Sequence, residues 1–184
     1  GPQIVYHVVW MLEEFNSERP YFGRALFYTH SRDNGFTWSE PYLVDSVENP
    51  DYGDKSPIEW INIAVDHMGW VHLIWDGINY GFRQHQWSRD GGQTWSNPEV
   101  VVPHIGYNGW SVLGVDQENG LNLVTATIDG LKYTRWSNGV WSQLSSLSQI
   151  GDPHFIALAV NLGNELFLVY QSHGGGQALY GEPG

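Results

Sequence analysis

The sequence contains no cysteine, which excludes a disulfide framework and any metal site built on thiolates. It has only eight lysine and arginine residues against 20 aspartates and glutamates, so its formal net charge is −12. This balance argues against nucleic acid or an anionic membrane surface as a partner. No run of about 18 apolar residues occurs, so the sequence predicts no insertion into a membrane. It predicts no metal and no other cofactor.

Asn-x-Ser/Thr glycosylation sequons are also missing, which favours a bacterial source over a eukaryotic secretory one. Gly1 and Pro2 look like the remnant of a protease-cleaved tag, so residues 1–2 are set apart from a single segment at 3–184. That length suits one domain or a piece of a larger one.

Aromatic residues are abundant, at 15% of the chain, and they alternate with β-branched residues. Such alternation is typical of strands with one buried face. No segment shows the apolar period of about 3.6 residues that marks an amphipathic helix. The pattern therefore predicts an all-β protein with a sizeable core.

One motif occurs twice, as Ser31-Arg-Asp-Asn-Gly-Phe-Thr-Trp38 and as Ser88-Arg-Asp-Gly-Gly-Gln-Thr-Trp95. We call these segments hairpin motif 1 and hairpin motif 2. In such turns a short Asp side chain accepts backbone N–H hydrogen bonds, and glycine supplies a positive φ. We therefore expect a structural role for the shared residues, which are Ser31, Asp33, Gly35, Thr37 and Trp38 in motif 1, and Ser88, Asp90, Gly92, Thr94 and Trp95 in motif 2.

A third, shortened hairpin is predicted at Trp136-Ser-Asn-Gly-Val-Trp141, where Asn-Gly is a two-residue turn signal. Around these hairpins, candidate first strands start at Trp60, Trp110 and Phe155, at intervals of 50 and 45 residues. Four strands per such period are typical of propeller blades. The sequence thus predicts a partial β-propeller of about four four-stranded antiparallel blades, at 4–45, 58–103, 109–147 and 154–182. We expect the first blade to lack its first strand and the last to lack its fourth, as in a piece of a larger propeller.

Hairpin motifs 1 and 2 resemble the Asp-box, or BNR repeat, of the sialidase-like superfamily, and the blade pattern extends the resemblance over nearly the whole chain. In that superfamily the box joins the third and fourth strands, on the side opposite the ligand site. The resemblance implies that Asp33 and Asp90 are structural and not catalytic. It also implies a glycan or glycoconjugate partner and a secreted or cell-surface location.

Sialidases carry an arginine in a Phe/Tyr-Arg-Ile-Pro motif, two more that clamp the substrate carboxylate, a Tyr–Glu nucleophile pair and an acid Asp. No Arg-Ile-Pro occurs in this sequence. If the protein is an enzyme, the resemblance implies a glycoside hydrolase whose catalytic set is partly outside this segment. We then expect the isolated segment to be inactive. Of the six arginines, Arg32 and Arg89 lie inside hairpin motifs 1 and 2, and Arg135 lies on a third strand near its hairpin. The remaining three are Arg19, Arg24 and Arg83.

The loops expected on the ligand side are 13–24, 45–59, 76–81, 103–109 and 151–154. Sugars bind through aromatic faces and hydrogen bonds from polar side chains, and these loops and their borders supply both. Asp54 and Asp76 are weak catalytic candidates, suited to glycoside hydrolysis if about 5 to 10 Å apart. The predicted ligand-binding residues are Trp60, Asp76, Tyr80, Arg83, His104 and Trp110.

Other recurring residues have a structural interpretation. His7 and His72 occupy equivalent second-strand positions, which favours packed and hydrogen-bonded side chains over metal ligands. The tryptophans at repeated positions are expected in the core between blades; they are Trp10, Trp38, Trp75, Trp95 and Trp141.

Three functions follow from these observations. The leading hypothesis is a module that binds or processes carbohydrate, without catalysis on its own. The second is part of an exo-glycosidase of sialidase type, and the third is a protein-interaction scaffold. Arginines and carboxylates that converge on one site would favour the enzyme. Exposed aromatic side chains would favour the binding module, and an apolar patch away from the ligand side would favour the scaffold. Incomplete terminal blades also predict open edges and a homodimer.

Overall fold

A computed structural model describes residues 4–16, 19–47, 60–76, 82–103, 110–127, 129–148, 154–172 and 175–181. These residues form four antiparallel sheets. Sheet 1 contains β1 (Tyr6–Asn16), β2 (Arg19–Ser31) and β3 (Tyr42–Val47). Sheet 2 contains β4 (Ile61–Val65), β5 (Val71–Asp76), β6 (Phe82–Ser88) and β7 (Glu99–Pro103).

Sheet 3 contains β8 (Ser111–Val115), β9 (Leu121–Thr127), β10 (Gly130–Ser137), β11 (Val140–Trp141) and β12 (Ser145–Ser148), of which the last two both pair with β10. Sheet 4 contains β13 (His154–Val160), β14 (Leu166–Ser172) and β15 (Gly175–Gly181). Within each sheet the strands follow chain order. The predicted all-β, antiparallel organisation is confirmed. No helix long and apolar enough to cross a membrane occurs among the described residues.

The core lies in three layers between consecutive sheets. Leu26 and Tyr28 of sheet 1 pack on Leu73 and Trp75 of sheet 2. Sheets 2 and 3 meet through a cluster that includes Val102 and Leu123. Sheets 3 and 4 meet through Val124, Ala126, Leu131, Ile156, Leu168 and Tyr170. Since β9 lies between two such layers, all seven of its residues are buried.

Two predicted boundaries are wrong. In the predicted loop 13–24, the described residues 13–16 and 19–24 are strand, because β1 and β2 pair through Glu13 with Arg24 and onward to Asn16 with Arg19. The hairpin motifs also predict fourth strands at Thr37–Val44 and Thr94–Val102. In the structure, β3 and β7 begin only after Pro41 and Pro98. Proline has no N–H to give to a ladder, so strand pairing resumes beyond it.

In sheets 1, 2 and 3, a serine just before the fourth strand continues the hydrogen bonding to the third strand. The N–H groups of Ser39, Ser96 and Ser142 donate to the carbonyl oxygens of His30, Trp87 and Arg135 at 2.8–2.9 Å. Their hydroxyl oxygens accept hydrogen bonds from the N–H groups of the same three residues. The shortened third hairpin keeps this serine although it has lost the Asp. Trp136 pairs with Trp141 around Asn138 and Gly139, both at positive φ, so the predicted tight turn is present.

Candidate functional site

The strand directions define two faces of the molecule. The first strands β4, β8 and β13 each begin beside an aromatic residue, Trp60, Trp110 or Phe155. We call this end the site face. Antiparallel pairing returns the third strands to the opposite end, so hairpin motifs 1 and 2 lie there, on the hairpin face. The site face is therefore the one that the sequence assigned to ligands.

Trp60, Trp110 and Phe155 form a contiguous group, which we call the aromatic row. The ring centroids of Trp60 and Trp110 are 3.7 Å apart, and those of Trp110 and Phe155 are 4.8 Å apart. Trp60 and Trp110 are half-buried, whereas Phe155 is 61% exposed. Three consecutive sheets thus place one continuous apolar surface across the site face, with neighbouring rings tilted by 39° and 46°.

Phe155 has a strained backbone. Its φ is 49°, a region that bulky residues rarely adopt, and the β13–β14 register shifts between His154 and Ala157. A bulge of this kind redirects a side chain and is common beside binding sites. Phe155 was not among the predicted ligand residues. The sequence does contain a signal that could identify Phe155 as a ligand residue: it stands at the start of a first strand, as Trp60 and Trp110 do.

A buried polar network supports the aromatic row. Arg83 Nε donates to Ser111 Oγ at 2.6 Å, and Ser111 Oγ donates to Thr125 Oγ1 at 2.7 Å. Asn62 Nδ2 donates to the Ser111 carbonyl at 2.6 Å, which ties sheet 2 to sheet 3 directly after Trp110. These bonds fix the spacing of the sheets and hence of the two indoles.

A second support joins sheets 1 and 2. Trp75 Nε1 donates to Asp45 Oδ2 at 2.8 Å, and Gln84 Nε2 donates to the same oxygen at 3.3 Å. Asp45 therefore satisfies a buried indole N–H that would otherwise lose its hydrogen bond to water.

The structure brings only some of the predicted ligand residues together on the site face. Trp60 and Trp110 come together, as described. Arg83 does not reach the surface: its side chain is fully buried between sheets, so it positions Ser111 and is not available to a ligand in this conformation. Asp76 ends β5 opposite Arg83 in the β5–β6 ladder. The other predicted site residues, Asp54, Tyr80 and His104, lie outside the described residues.

On the hairpin face, the two motifs have nearly identical bonds. Asp33 Oδ1 accepts from Thr37 N and Asp90 Oδ1 accepts from Thr94 N, both at 2.8 Å. The threonine hydroxyls donate to the other carboxylate oxygens, at 2.5 and 2.6 Å. The hydrogen bonds from Thr37 hold the pKa of Asp33 at about 2, and those from Thr94 likewise lower the pKa of Asp90. Both carboxylates therefore accept hydrogen bonds within their own turns.

The two motifs differ in the position of their tryptophans. Trp95 stacks on Tyr42 at 5.5 Å and meets Tyr28 edge-on at 4.8 Å, so it packs against sheet 1. Trp141 likewise packs against His85 of sheet 2. Trp38 is 46% exposed, and its predicted core position is wrong, because no sheet among the described residues covers that side of sheet 1.

A buried histidine pair lies between sheets 2 and 3. His72 Nδ1 and His85 Nε2 are 3.1 Å apart, and the rings stack with centroids at 5.3 Å. Asp66 lies 3.6 Å from His72, and Glu99 lies 3.0 Å from His85. Burial, followed by the neighbouring His85, lowers the pKa of His72 to about 4. His7, at the equivalent position of sheet 1, hydrogen-bonds to Tyr28 Oη at 2.6 Å.

Within the described parts of the chain, no group of three or more His, Asp and Glu side chains is arranged to hold a metal ion. The described site face therefore offers a continuous aromatic surface above a buried polar network. Its chemistry suits stacking on an apolar ligand face.

No protein-family model matches this chain, and no curated protein sequence matches it. Solved structures do. The chain is similar to Hadza microbial sialidase Hz136 with a TM-score of 0.59 and 16% identity, over 94% of this chain and 34% of that one. It is also similar to the NanB sialidase from Streptococcus pneumoniae, with a TM-score of 0.56 and 16% identity, over 88% of this chain and 26% of that one.

A third similar structure is the intramolecular trans-sialidase from Ruminococcus gnavus, with a TM-score of 0.53 and 13% identity, over 88% of this chain and 41% of that one. The chain therefore has a sialidase-like β-propeller fold. It spans about a quarter to two fifths of the length of these proteins.

Proposed function

We propose that this chain is a carbohydrate-binding module of a sialidase-like propeller and that the aromatic row is part of its glycan site. The observation that carries the proposal is the contact of Trp60, Trp110 and Phe155 across three consecutive sheets on the site face. Aromatic faces stack on the C–H surfaces of sugar rings, and an exposed ring such as Phe155 remains accessible for that contact.

The similar structures support a glycan as the ligand class. The trans-sialidase was solved with oseltamivir carboxylate, and NanB was solved with a chlorobenzyl-ammonio ethanesulfonate. Hairpin motifs 1 and 2 are, in this proposal, Asp-boxes whose carboxylates hold turns and take no part in binding. The bonds of Asp33 and Asp90 within those turns support that division of roles.

We propose a secreted or cell-surface location and a bacterial source. A module of this kind meets glycans outside the cytoplasm. Two of the similar structures come from bacteria, Streptococcus pneumoniae and Ruminococcus gnavus.

The proposal is tested by glycan binding to the folded chain. We expect weak binding on an array that includes sialylated and neutral glycans, with a change in tryptophan fluorescence. Phe155→Ala and Trp110→Ala should each weaken binding about tenfold or more, the size expected for loss of a stacked ring worth ~1.5 kcal/mol. Trp38→Ala, which removes an exposed indole on the hairpin face, is the matched control and should leave binding unchanged.

Absence of any array signal from a chain shown to be folded would contradict the proposal and favour the scaffold. We expect no turnover of an aryl sialoside by this chain alone. Turnover that is lost in Asp54→Asn would instead establish a glycosidase.

We also propose that the chain forms a homodimer through its open terminal faces. Sheet 1 exposes Val8, Trp38 and Leu43, and sheet 4 exposes Phe167 and Val169. Each of these apolar groups lies on a face that no other described sheet covers.

A further inference from the structure

Asparagine followed by glycine is a dipeptide prone to deamidation, because glycine has no Cβ to hinder the approach of its own N–H to the asparagine side chain. The sequence contains four such pairs, at Asn34-Gly35, Asn108-Gly109, Asn119-Gly120 and Asn138-Gly139. The second pair lies outside the described residues. The other three lie in turns on the hairpin face, and they differ in what binds the glycine N–H.

Deamidation begins at the glycine nitrogen. This nitrogen loses its proton to solvent base and bonds to the asparagine Cγ, and the side-chain nitrogen takes up a proton and leaves as ammonia. Water then opens the resulting five-membered succinimide ring at one of its two carbonyl carbons, which gives either aspartate or isoaspartate. A glycine N–H that donates a hydrogen bond points to its acceptor, so the bond slows the first step.

In hairpin motif 1 the glycine N–H is bound. Gly35 N donates to Ser31 Oγ at 2.9 Å, and Ser31 Oγ donates to Asp33 Oδ1 at 2.8 Å. The same carboxylate oxygen accepts from Thr37 N. Because these bonds share partners, Gly35 N is freed only when several of them break together. Asn34 is exposed, and its turn nevertheless protects it.

The pair at Asn119 and Gly120 is bound on both sides. Gly120 N donates to Asp116 Oδ1 at 2.7 Å, and repulsion between like charges disfavours an amide anion beside that carboxylate. Asn119 Oδ1 accepts from His67 N at 2.7 Å, and Asn119 Nδ2 donates to Asp66 Oδ2 at 2.9 Å. Both groups that would react are therefore held by other partners.

Asn138 and Gly139 lack these restraints. Among the described residues, Gly139 N donates no hydrogen bond, and the exposed Asn138 side chain bonds only the adjacent Ser137, at 3.4 Å. A Cβ built on Gly139 would meet no atom within 4 Å, so the space over the turn is open. The turn is closed by the two-residue strand β11, which has two residue pairs with β10. So short a ladder opens locally at low cost.

We propose that Asn138 is a site of spontaneous deamidation in the folded protein, and that Asn34 and Asn119 are protected from this reaction by their own turns. The co-reactant is water, and no enzyme is needed. The product places a new carboxylate on the hairpin face. The modification is independent of the proposed glycan site, which lies on the opposite face.

The isoaspartate product changes the backbone as well as the charge. Its main chain runs through the former side-chain carbon, so the turn between β10 and β11 becomes longer by one atom. β11 carries Trp141, whose Nε1 donates to Glu99 Oε1 at 3.1 Å and whose ring packs on His85. Isoaspartate at residue 138 therefore loosens the contact between sheets 2 and 3 on the hairpin face.

The first test is the rate of deamidation at each asparagine. The chain is aged in mildly alkaline buffer, folded or in guanidinium, then digested with pepsin at acid pH and analysed by tandem mass spectrometry. In guanidinium we expect similar rates at Asn34, Asn119 and Asn138. In the folded chain Asn138 should react at least about tenfold faster than the other two, where two or more hydrogen bonds must open first. A folded rate at Asn138 no higher than at Asn34 or Asn119 would overturn the proposal.

A pair of serine variants tests the protecting hydrogen bond. Ser31→Ala removes the acceptor of Gly35 N and should raise the rate at Asn34 several-fold in the folded chain. Ser88→Ala is the matched control, because it removes the equivalent hydroxyl of hairpin motif 2, which contains no Asn-Gly pair. It should leave the rate at Asn34 unchanged. An unchanged rate in Ser31→Ala would contradict the protection of Asn34.

The loosening of β11 is tested by thermal unfolding. Ageing should lower the melting temperature of the original chain by about 2 to 4 °C, the shift expected for one contact of ordinary strength in a chain of this size. Asn138→Gly, aged in the same way, cannot react at this turn and should keep its melting temperature. An equal loss in aged Asn138→Gly would show that the damage lies elsewhere and would overturn the effect on β11.

Discussion

Gly35 and Gly92 hold the same position in hairpin motifs 1 and 2, and their φ values are 87° and 91°. Their surroundings nevertheless differ. A Cβ at Gly92 would lie 2.2 Å from Tyr28 Oη, whereas the nearest atom to a Cβ at Gly35 is Trp38 Cζ2 at 3.9 Å. The difference arises because Tyr28 of sheet 1 packs beneath hairpin motif 2.

We expect Gly92→Ala to lower the free energy of unfolding by about 1 to 3 kcal/mol more than Gly35→Ala does. Both variants strain a positive φ, and only Gly92→Ala also forces overlap with the ring of Tyr28. Urea unfolding of the two variants measures the difference. Equal losses would show that Tyr28 moves aside freely.

The same contrast explains why the sequence predicted residue types better than residue environments. Trp38 and Trp95 close the same motif in the sequence, and burial distinguishes them only through the sheet that packs on each. Likewise, Arg83 was expected at a ligand surface, and its buried bond to Ser111 depends on the approach of sheet 3. Local sequence carries no record of such long-range contacts.

At the scale of the strands and turns, Asn119 performs two tasks. Its backbone adopts the positive φ that the turn requires, and its side chain bonds His67 N and Asp66 of sheet 2. Glycine at this position would keep the first task and remove the second. The substitution therefore isolates the contribution of the bridge between sheets.

We predict that Asn119→Gly lowers the free energy of unfolding by about 1 to 2 kcal/mol, for two hydrogen bonds of ordinary strength. Asn138→Gly is the matched control, since Asn138 also has a positive φ, of 54°, and its side chain bonds only the adjacent Ser137 among the described residues. Thermal and urea unfolding should separate the variants. A loss in Asn138→Gly as large as that in Asn119→Gly would refute the bridging role.

The presence of the strands could be predicted because the alternation of apolar and polar residues and the turn residues are local features of the sequence. The strand boundaries that were predicted wrongly depend on pairing between strands, which is not local. The β1–β2 hairpin continues to Asn16 and Arg19 through a sequence rich in charge, which local preference assigns to a loop. On the site face, the equivalence of Phe155 with Trp60 and Trp110 was visible in the sequence, but the bulge that exposes its ring was not.

At the scale of the whole molecule, buried histidines link folding to pH. Burial lowers the pKa values of His72 and His85 in the folded chain, that of His72 to about 4, against about 6.5 for an unfolded chain. The unfolded state therefore binds more protons between these two pH values. Stability should fall as the pH is lowered from about 6.5 towards 4 and should be insensitive to these groups above about 7.

Urea unfolding between about pH 7.5 and 4.5 tests this linkage. His72→Asn should flatten the pH dependence, and asparagine already occupies the equivalent position of sheet 3, where Asn122 bonds Asp116. His67→Gln, which alters an exposed histidine beside Asp66, should keep the original slope. An unchanged slope in His72→Asn would mean that proton uptake occurs elsewhere.

The open faces of sheets 1 and 4 predict self-association. We expect light scattering to give a mass that rises from one chain to two with concentration, because exposed Phe167, Val169 and Leu43 are removed from water on contact. Val169→Lys should shift the equilibrium to the monomer, since a charge at a buried apolar contact is unfavourable. A single-chain mass at all concentrations would exclude the dimer.

The closeness of Trp60 and Trp110 has an optical consequence. Two indoles with centroids 3.7 Å apart and planes tilted by 39° are near enough for their electronic transitions to couple. Coupled transitions of this kind give a paired positive and negative band in circular dichroism, distinct from the signal of the strands. The Trp70–Trp136 and Trp87–Trp136 pairs, with centroids 6.0 and 5.8 Å apart, can couple as well. The difference between the spectra of the original chain and Trp60→Phe therefore isolates the band of the site face, which reports whether sheets 2 and 3 remain in register there.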